Sequence, residues 1–104
     1  MQPALDLVFS ALADPTRRAI LSNLRDQAAP VHALASQFSI SRPAVSKHLA
    51  VLRDAGLVRE TRRGRENLYA LEREALTTAR SWLAEFWRAK LGALKSVAER
   101  ENEH

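Results

Sequence analysis

Between Ala33 and Leu49 the apolar residues fall into two short helical stripes separated by polar or small side chains, and few folds satisfy that pattern. Leu34, Ala35 and Phe38 make the first stripe, Ile40 is placed to plug a turn, and Val45, Leu49 and Leu52 make the second at spacings of four and three. Ala35 is small where the two helices must approach closely. Ser41 is a ready N-cap, and Pro43 falls in the next helix's first turn, where a missing N–H costs nothing. Two short helices joined by a three-residue turn, the second with a polar outer face, read as a helix-turn-helix, whose second helix enters the major groove of duplex DNA.

Charge supports this reading. The chain carries a net charge of only +4, yet between residues 40 and 65 seven basic side chains (Arg42, Lys47, Arg53, Arg59, Arg62, Arg63 and Arg65) face two acids, Asp54 and Glu60. A protein basic merely for solubility would spread its charge; concentration on one segment is the footprint of a polyanion site.

A chain of 104 residues with 46% apolar content predicts one domain with a modest core, which oligomerisation would help to stabilise. No apolar run approaches the roughly 20 residues of a membrane span. The opening Met1-Gln2-Pro3 lacks the basic-then-apolar layout of a signal peptide, so a cytoplasmic protein is expected. The absence of cysteine excludes disulfides and thiolate metal sites. One domain is expected over residues 1–98, followed by a polar tail, 99–104.

Leu5, Val8, Phe9 and Leu12 form a first helix by spacing. Asp14 is an N-cap with Pro15 behind it; Ile20, Leu21 and Leu24 then face inward while Arg17, Arg18 and Arg25 stay outside. Pro30 opens a third helix, and a fourth, from about Arg42 to Ala55, ends at Gly56 with Leu57 folding back onto it. The period then becomes alternating. Leu57 to Arg63 and Glu66 to Leu71 predict a β-hairpin turning at Arg63-Gly64-Arg65, and a basic hairpin after a recognition helix is a wing.

From Glu72 the helical period returns and persists to about Val97, a span of about 37 Å. Its stripe of Leu76, Ala79, Leu83, Phe86, Trp87, Leu91, Leu94 and Val97 outreaches any core the remaining residues can build, which predicts a partner chain. Arg80 and Lys90 flank the stripe.

The order helix, helix, helix-turn-helix, wing, long helix, together with Ala11-Leu12-Ala13-Asp14-Pro15-Thr16-Arg17-Arg18-Ala19-Ile20-Leu21 and Val45-Ser46-Lys47-His48-Leu49-Ala50-Val51-Leu52-Arg53-Asp54-Ala55-Gly56-Leu57-Val58, resembles the ArsR (arsenic-repressor) family from residue 5 to about 98. The resemblance implies a mainly α fold with a small β-hairpin, a winged helix-turn-helix in the order α-α-α-α-β-β-α. It also implies a homodimeric transcriptional regulator, usually a repressor, that binds an inverted repeat in double-stranded DNA. The first and last helices would form the dimer interface, through Leu5, Phe9, Leu76, Leu83, Phe86, Trp87, Leu91 and Leu94. Ser39 stands where such motifs often have Gly, so a left-handed turn there would carry strain.

Family sensors of arsenic, cadmium or lead carry a Cys-x-Cys pair at positions held here by Pro30 and His32. Zinc and nickel sensors use Asp and His along the last helix, yet residues 73 to 103 contain neither. His32, His48 and His104 lie far apart in sequence, so no metal and no cofactor are expected, and the effector is unassigned.

On the recognition helix Ser46 and Lys47 project opposite the buried stripe and are the expected readers of base edges. Ser41, Arg42 and Pro43 lie at its start, with Arg42 as a phosphate contact. His48 falls at the stripe's edge, as a packed residue or phosphate contact, and Arg62, Arg63 and Arg65 give the wing its charge. An enzyme is disfavoured because Ser46 and His48 point to different sides of one helix and no carboxylate pair or Gly-rich phosphate loop accompanies them. A winged helix that binds protein rather than DNA is the remaining alternative; it would not need seven basic residues.

Overall fold

Asp14 starts the first well-defined helical junction. Its carboxylate accepts the Arg17 amide at 3.0 Å, and Pro15 occupies the first helical position, so the chain turns from one helix into the next within three residues. In the computed structural model, which describes residues 3–102, the elements are α1 (Pro3–Leu12), α2 (Pro15–Asn23), β1 (Ala29–Pro30), α3 (Val31–Ala35), α4 (Arg42–Asp54), β2 (Val58–Arg63), β3 (Glu66–Leu71) and α5 (Arg73–Asn102). The fold is mainly helical with a small antiparallel hairpin, a winged helix-turn-helix.

Arg17 and Arg18 do not simply point to solvent. The Arg17 guanidinium turns back so that Nε donates to the Ala11 carbonyl at 2.7 Å and Nη2 to that of Ser10 at 3.1 Å, while Arg18 Nη1 donates to Leu12 at 2.7 Å. The last carbonyls of a helix have no partner inside it. Two arginines of α2 therefore cap the end of α1.

The sheet has three strands in the order β1-β3-β2. Its first strand was not expected: Ala29 and Pro30 pair with Tyr69 and Leu68, and Pro30 is the N-cap residue of α3 rather than its opening turn. Proline cannot donate to a ladder and is tolerated here because β1 is an edge. The hairpin forms where expected, with Arg63 opposite Glu66 and Val58 opposite Leu71.

The helix-turn-helix is looser than three residues. After Ala35 two further turns, Gln37 N–H to Leu34 and Phe38 N–H to Ala35, carry the chain to Ser41, so six residues separate α3 from α4. Phe38, half-buried against the core, fills the corner; Ile40, expected there, is 36% exposed. Ser39 carries no strain, since among the described residues only Gly56 and Gly64 have positive φ. At Gly56 that conformation ends α4, with the Leu57 amide reaching back to the Leu52 carbonyl at 2.9 Å.

Val8, Ile20, Leu24, Leu34, Val45, Leu49, Leu52 and Leu57 are the largest fully enclosed side chains among the described residues, and none comes from α5. α5 contributes little to that core beyond Ala79, with Ala75 and Leu76 packed at its margin. It is helical through Asn102, so residues 99–102 continue the helix rather than form a tail; Glu103 and His104 lie outside the described residues. No helix among the described residues is long and apolar enough to cross a membrane.

Candidate nucleic-acid interface

α4 presents two chemically distinct sides. Val45, Leu49 and Leu52 are locked into the core, which leaves Arg42, Pro43, Ser46 and Lys47 in solvent on the first turns. Ser41 caps the helix through its hydroxyl, which accepts the Ala44 amide at 3.2 Å. That bond uses the Ser41 oxygen as an acceptor and leaves its O–H free to donate.

His48 is half-buried and sits near enough to Asp14 to act on its charge. The Asp14 carboxyl is held below the usual range, chiefly by the Arg17 amide, with the Arg17 and His48 charges as smaller contributions. The half-burial of His48 is compatible with either expectation for it, a packed residue or a phosphate contact.

Of the seven basic residues, two are paired within the chain. Arg53 donates to Glu60 at 3.1 Å, tying the end of α4 to β2, and Arg59 pairs with Glu72. Arg62 turns its Nε onto the Gly64 carbonyl at 3.0 Å and so braces the hairpin turn. Arg42, Lys47, Arg63 and Arg65 hold no ion pair among the described residues. Within this segment the unpaired positive charge therefore lies at the start of α4 and at the wing tip.

A polar cleft of about 330 Å³ lies between them. It brings Arg42 and Ser46 of α4 together with Arg65 of the wing, and its remaining walls include His32, Glu66, Asn67 and Tyr69; Lys47, Pro43, His48, Arg62 and Arg63 lie outside it. Sequence reasoning missed what closes this cleft: His32 Nε2 lies 2.8 Å from Glu66 Oε1 and links the start of α3 to the base of the wing. These residues stand 34 positions apart, so no local pattern could pair them. Among the described residues no group of three or more His, Cys, Asp or Glu side chains is placed to hold a metal ion.

Behind the cleft, Glu60 is held below the ordinary carboxylate range, first by the Tyr69 hydroxyl and then by Arg53 and Asn67, against the opposing effect of burial. Tyr69 is pushed up to about 12, by burial and then by the Glu60 charge. Both residues are tied within the chain, and through Arg53 the cluster links the wing to the end of α4.

Along α1 and α5 the expected interface residues divide into two groups. Leu83, Phe86, Trp87, Leu91 and Leu94 are exposed, Leu94 at 63%, as are Leu7, Trp82 and Val97. Phe9 and Leu76 are half-buried, whereas Leu5 is buried in its own chain and has little surface left to offer a partner. Aromatic contacts run up this face: Phe9 meets Trp82 edge-on at 5.7 Å, and Trp82 stacks on Phe86 at 5.9 Å.

The sequence matches the family model of a helix-turn-helix domain over residues 12–61. It is 38% identical over 98 residues to the HTH-type transcriptional regulator Rv2034 of Mycobacterium tuberculosis, covering 94% of this chain and 92% of that protein. It is 35% identical over 79 residues to the transcriptional repressor SdpR of Bacillus subtilis, covering 76% and 88%. Among solved structures, an ArsR family transcriptional regulator, RHA00566, superposes with a TM-score of 0.78 at 40% identity, over 86% of this chain and 93% of its own. An ArsR-like regulator from Rhodococcus sp. RHA1 gives 0.77 at 35% identity, over 91% and 92%. With the fold, the motif and near full-length relatives in agreement, the chain belongs to the ArsR family of winged helix-turn-helix transcriptional regulators.

Proposed function

We propose that this chain is a homodimeric repressor that binds an inverted-repeat operator, with α4 in the major groove and the wing on the adjacent backbone. The observation that carries the reading is the placement of Arg42, Lys47, Arg63 and Arg65, unpaired among the described residues, at opposite ends of one face. Cations left without internal partners there are available for phosphates, and binding would release condensed counterions. Ser46 and Lys47 are the side chains we assign to base edges, Arg42 and the wing arginines to phosphates. The repressor named among the relatives supports the sign of regulation.

The dimer reading rests on α5. Trp87 is 58% exposed and Leu91 60%, and with Leu83 and Leu94 they form an apolar strip too long for the body of one chain to cover. A second copy, packing α5 and α1 against their equivalents, removes that surface from water and spaces two recognition helices for successive major grooves. We assign residues 1–98 to a single binding and dimerisation domain.

Measuring affinity for duplex DNA across a range of salt concentrations tests the reading. A DNA-binding regulator gives a steep linear fall in log affinity with log salt; a winged helix that recognises protein gives none.

A further inference from the structure

A second groove, on the side of the molecule formed by α5 and the end of the wing strand, has a chemistry unlike that of the polar cleft. It encloses about 350 Å³ and is lined by Arg25, Leu71, Arg73, Leu76, Thr77 and Arg80. Three guanidiniums surround it, and among the described residues no acid lines it. Arg73, Leu76, Thr77 and Arg80 share one face of α5 because they recur at helical spacing. Glu74, the next residue after Arg73, is turned to a different face, beside Thr78.

The floor is preformed: Leu71 and Leu76 are partly buried and packed against the core. The rim is not neutralised. Arg73 and Arg80 have no hydrogen bond or ion pair among the described residues, and Arg25 meets only Asp26, at 3.8 Å in a solvent-exposed pair. An apolar floor under three cations, two of them without an ion pair among the described residues, complements one chemical class, and its volume falls in the range of small-molecule sites, about 300–1,000 Å³.

We propose that this groove binds an organic anion with an apolar body, the apolar part lying on Leu71 and Leu76 and the anionic group held between Arg73, Arg80 and Arg25. Its role as the effector of DNA binding rests on the reading above; its ability to bind does not. The groove joins α5 to the last residue of β3, the strand whose other end carries the wing tip, so an occupant touches the dimerising helix and the wing strand together.

Decanoate is a suitable probe, with decanol as its uncharged counterpart and inorganic phosphate as a bare anion, titrated calorimetrically into the full chain below micellar concentration. Saturable decanoate binding is expected, with decanol and phosphate each at least about tenfold weaker. Arg73→Gln and Arg80→Gln should each weaken decanoate about fivefold or more, while Arg88→Gln, on the same helix outside the groove, leaves it unchanged. Decanol binding as tightly as decanoate, or full decanoate affinity in the Arg73→Gln/Arg80→Gln double variant, overturns the proposal. So does a double variant that loses affinity for duplex DNA while keeping that for decanoate, because the arginines would then be backbone contacts. Decanoate and DNA must change each other's Kd by one common factor, and a factor of one removes the effector role. Failure of the unmodified chain to bind DNA, with decanoate binding intact, would count against the repressor reading and not against the groove.

Discussion

The Tyr69 hydroxyl donates to Glu60 Oε2 at 2.6 Å from the residue directly opposite it in the hairpin. Glu60 also accepts from Arg53 at the end of α4, at 3.1 Å, and from Asn67 at 3.2 Å. One carboxylate thus ties the recognition helix to both strands of the wing, and Tyr69 extends the link to Ala29 of β1. The cluster is thus a direct link between α4 and the wing.

Its titration is directly observable, because Tyr69 is the sole tyrosine of the chain. Tyrosinate absorbance should rise with a midpoint near 12 rather than the ordinary 10.0. A raised phenol pKa means that the folded state favours the neutral form, so this stabilisation is complete below pH 10.0 and fades as pH climbs toward about 12. Glu60 works in the opposite direction: its lowered pKa gives stability that is present above the ordinary value of 4.5 and is lost in acid. Glu60→Gln should move the tyrosine midpoint down, and an unmoved midpoint would show that burial alone sets it.

Arg17→Ala should lower stability by about 1–2 kcal/mol, since it strips the Ala11 and Ser10 carbonyls of a charged donor at the end of α1. Arg17→Lys should rescue little, because a lysine lacks the planar fork that serves two carbonyls at once. Denaturant unfolding of the three proteins decides it; equal stability of the lysine variant would mean that charge alone is what α1 requires.

Caps and stripes were legible in the sequence because they are local. Asp14, Ser41 and Gly56 each act within a few residues, and the hairpin followed from alternation on either side of Gly64. The missed features are those in which distant residues meet. A two-residue strand such as Ala29–Pro30 is too short to show a period, and Pro30 reads equally well as a helix opening. The pairing of His32 with Glu66, and the neutralisation of Arg53 and Arg59 by acids seven and thirteen positions away, exist only once the wing has folded. The charge count therefore overstated how many cations of the segment from residue 40 to 65 are free, since Arg53 and Arg59 are paired within the chain.

That distinction predicts an unequal response among the arginines. Alanine at Arg63 or Arg65 should weaken binding to all duplexes and flatten the salt slope by about one unit each. Arg53→Ala should act differently, releasing Glu60 and lowering stability together with affinity. Ser46→Ala and Lys47→Ala should change which base pairs are preferred, at about 1–3 kcal/mol per lost base contact. Selection of bound duplexes by each variant separates the two behaviours, and unchanged preferences in both would shift the reading role to Arg42 and Pro43.

Arsenite, cadmium, zinc and nickel should each leave DNA affinity unaltered within about twofold, since an effector acts only through differential affinity for two states. His32, at the place of a thiolate in metal-sensing members, is engaged with Glu66. Titrating each metal against a labelled operator checks this. A tenfold release by micromolar zinc, abolished in His32→Ala, would reveal an intersubunit site.

The apolar strip of α5 makes the last and most demanding prediction. Leu83 and Trp87 stand one turn apart at 43% and 58% exposure, and a glutamate at either place would have to be buried without a partner if two copies pack there. Leu83→Glu and Trp87→Glu should therefore yield monomers that keep their helical content, because neither residue belongs to the core around Leu49 and Leu52. With one recognition helix instead of two, affinity for an inverted repeat should fall by more than about tenfold, while the weak affinity for a single half-site persists. Sedimentation gives the assembly state and circular dichroism the fold. A monomeric unmodified chain at micromolar concentration would refute the dimer and leave the exposed tryptophans without an explanation.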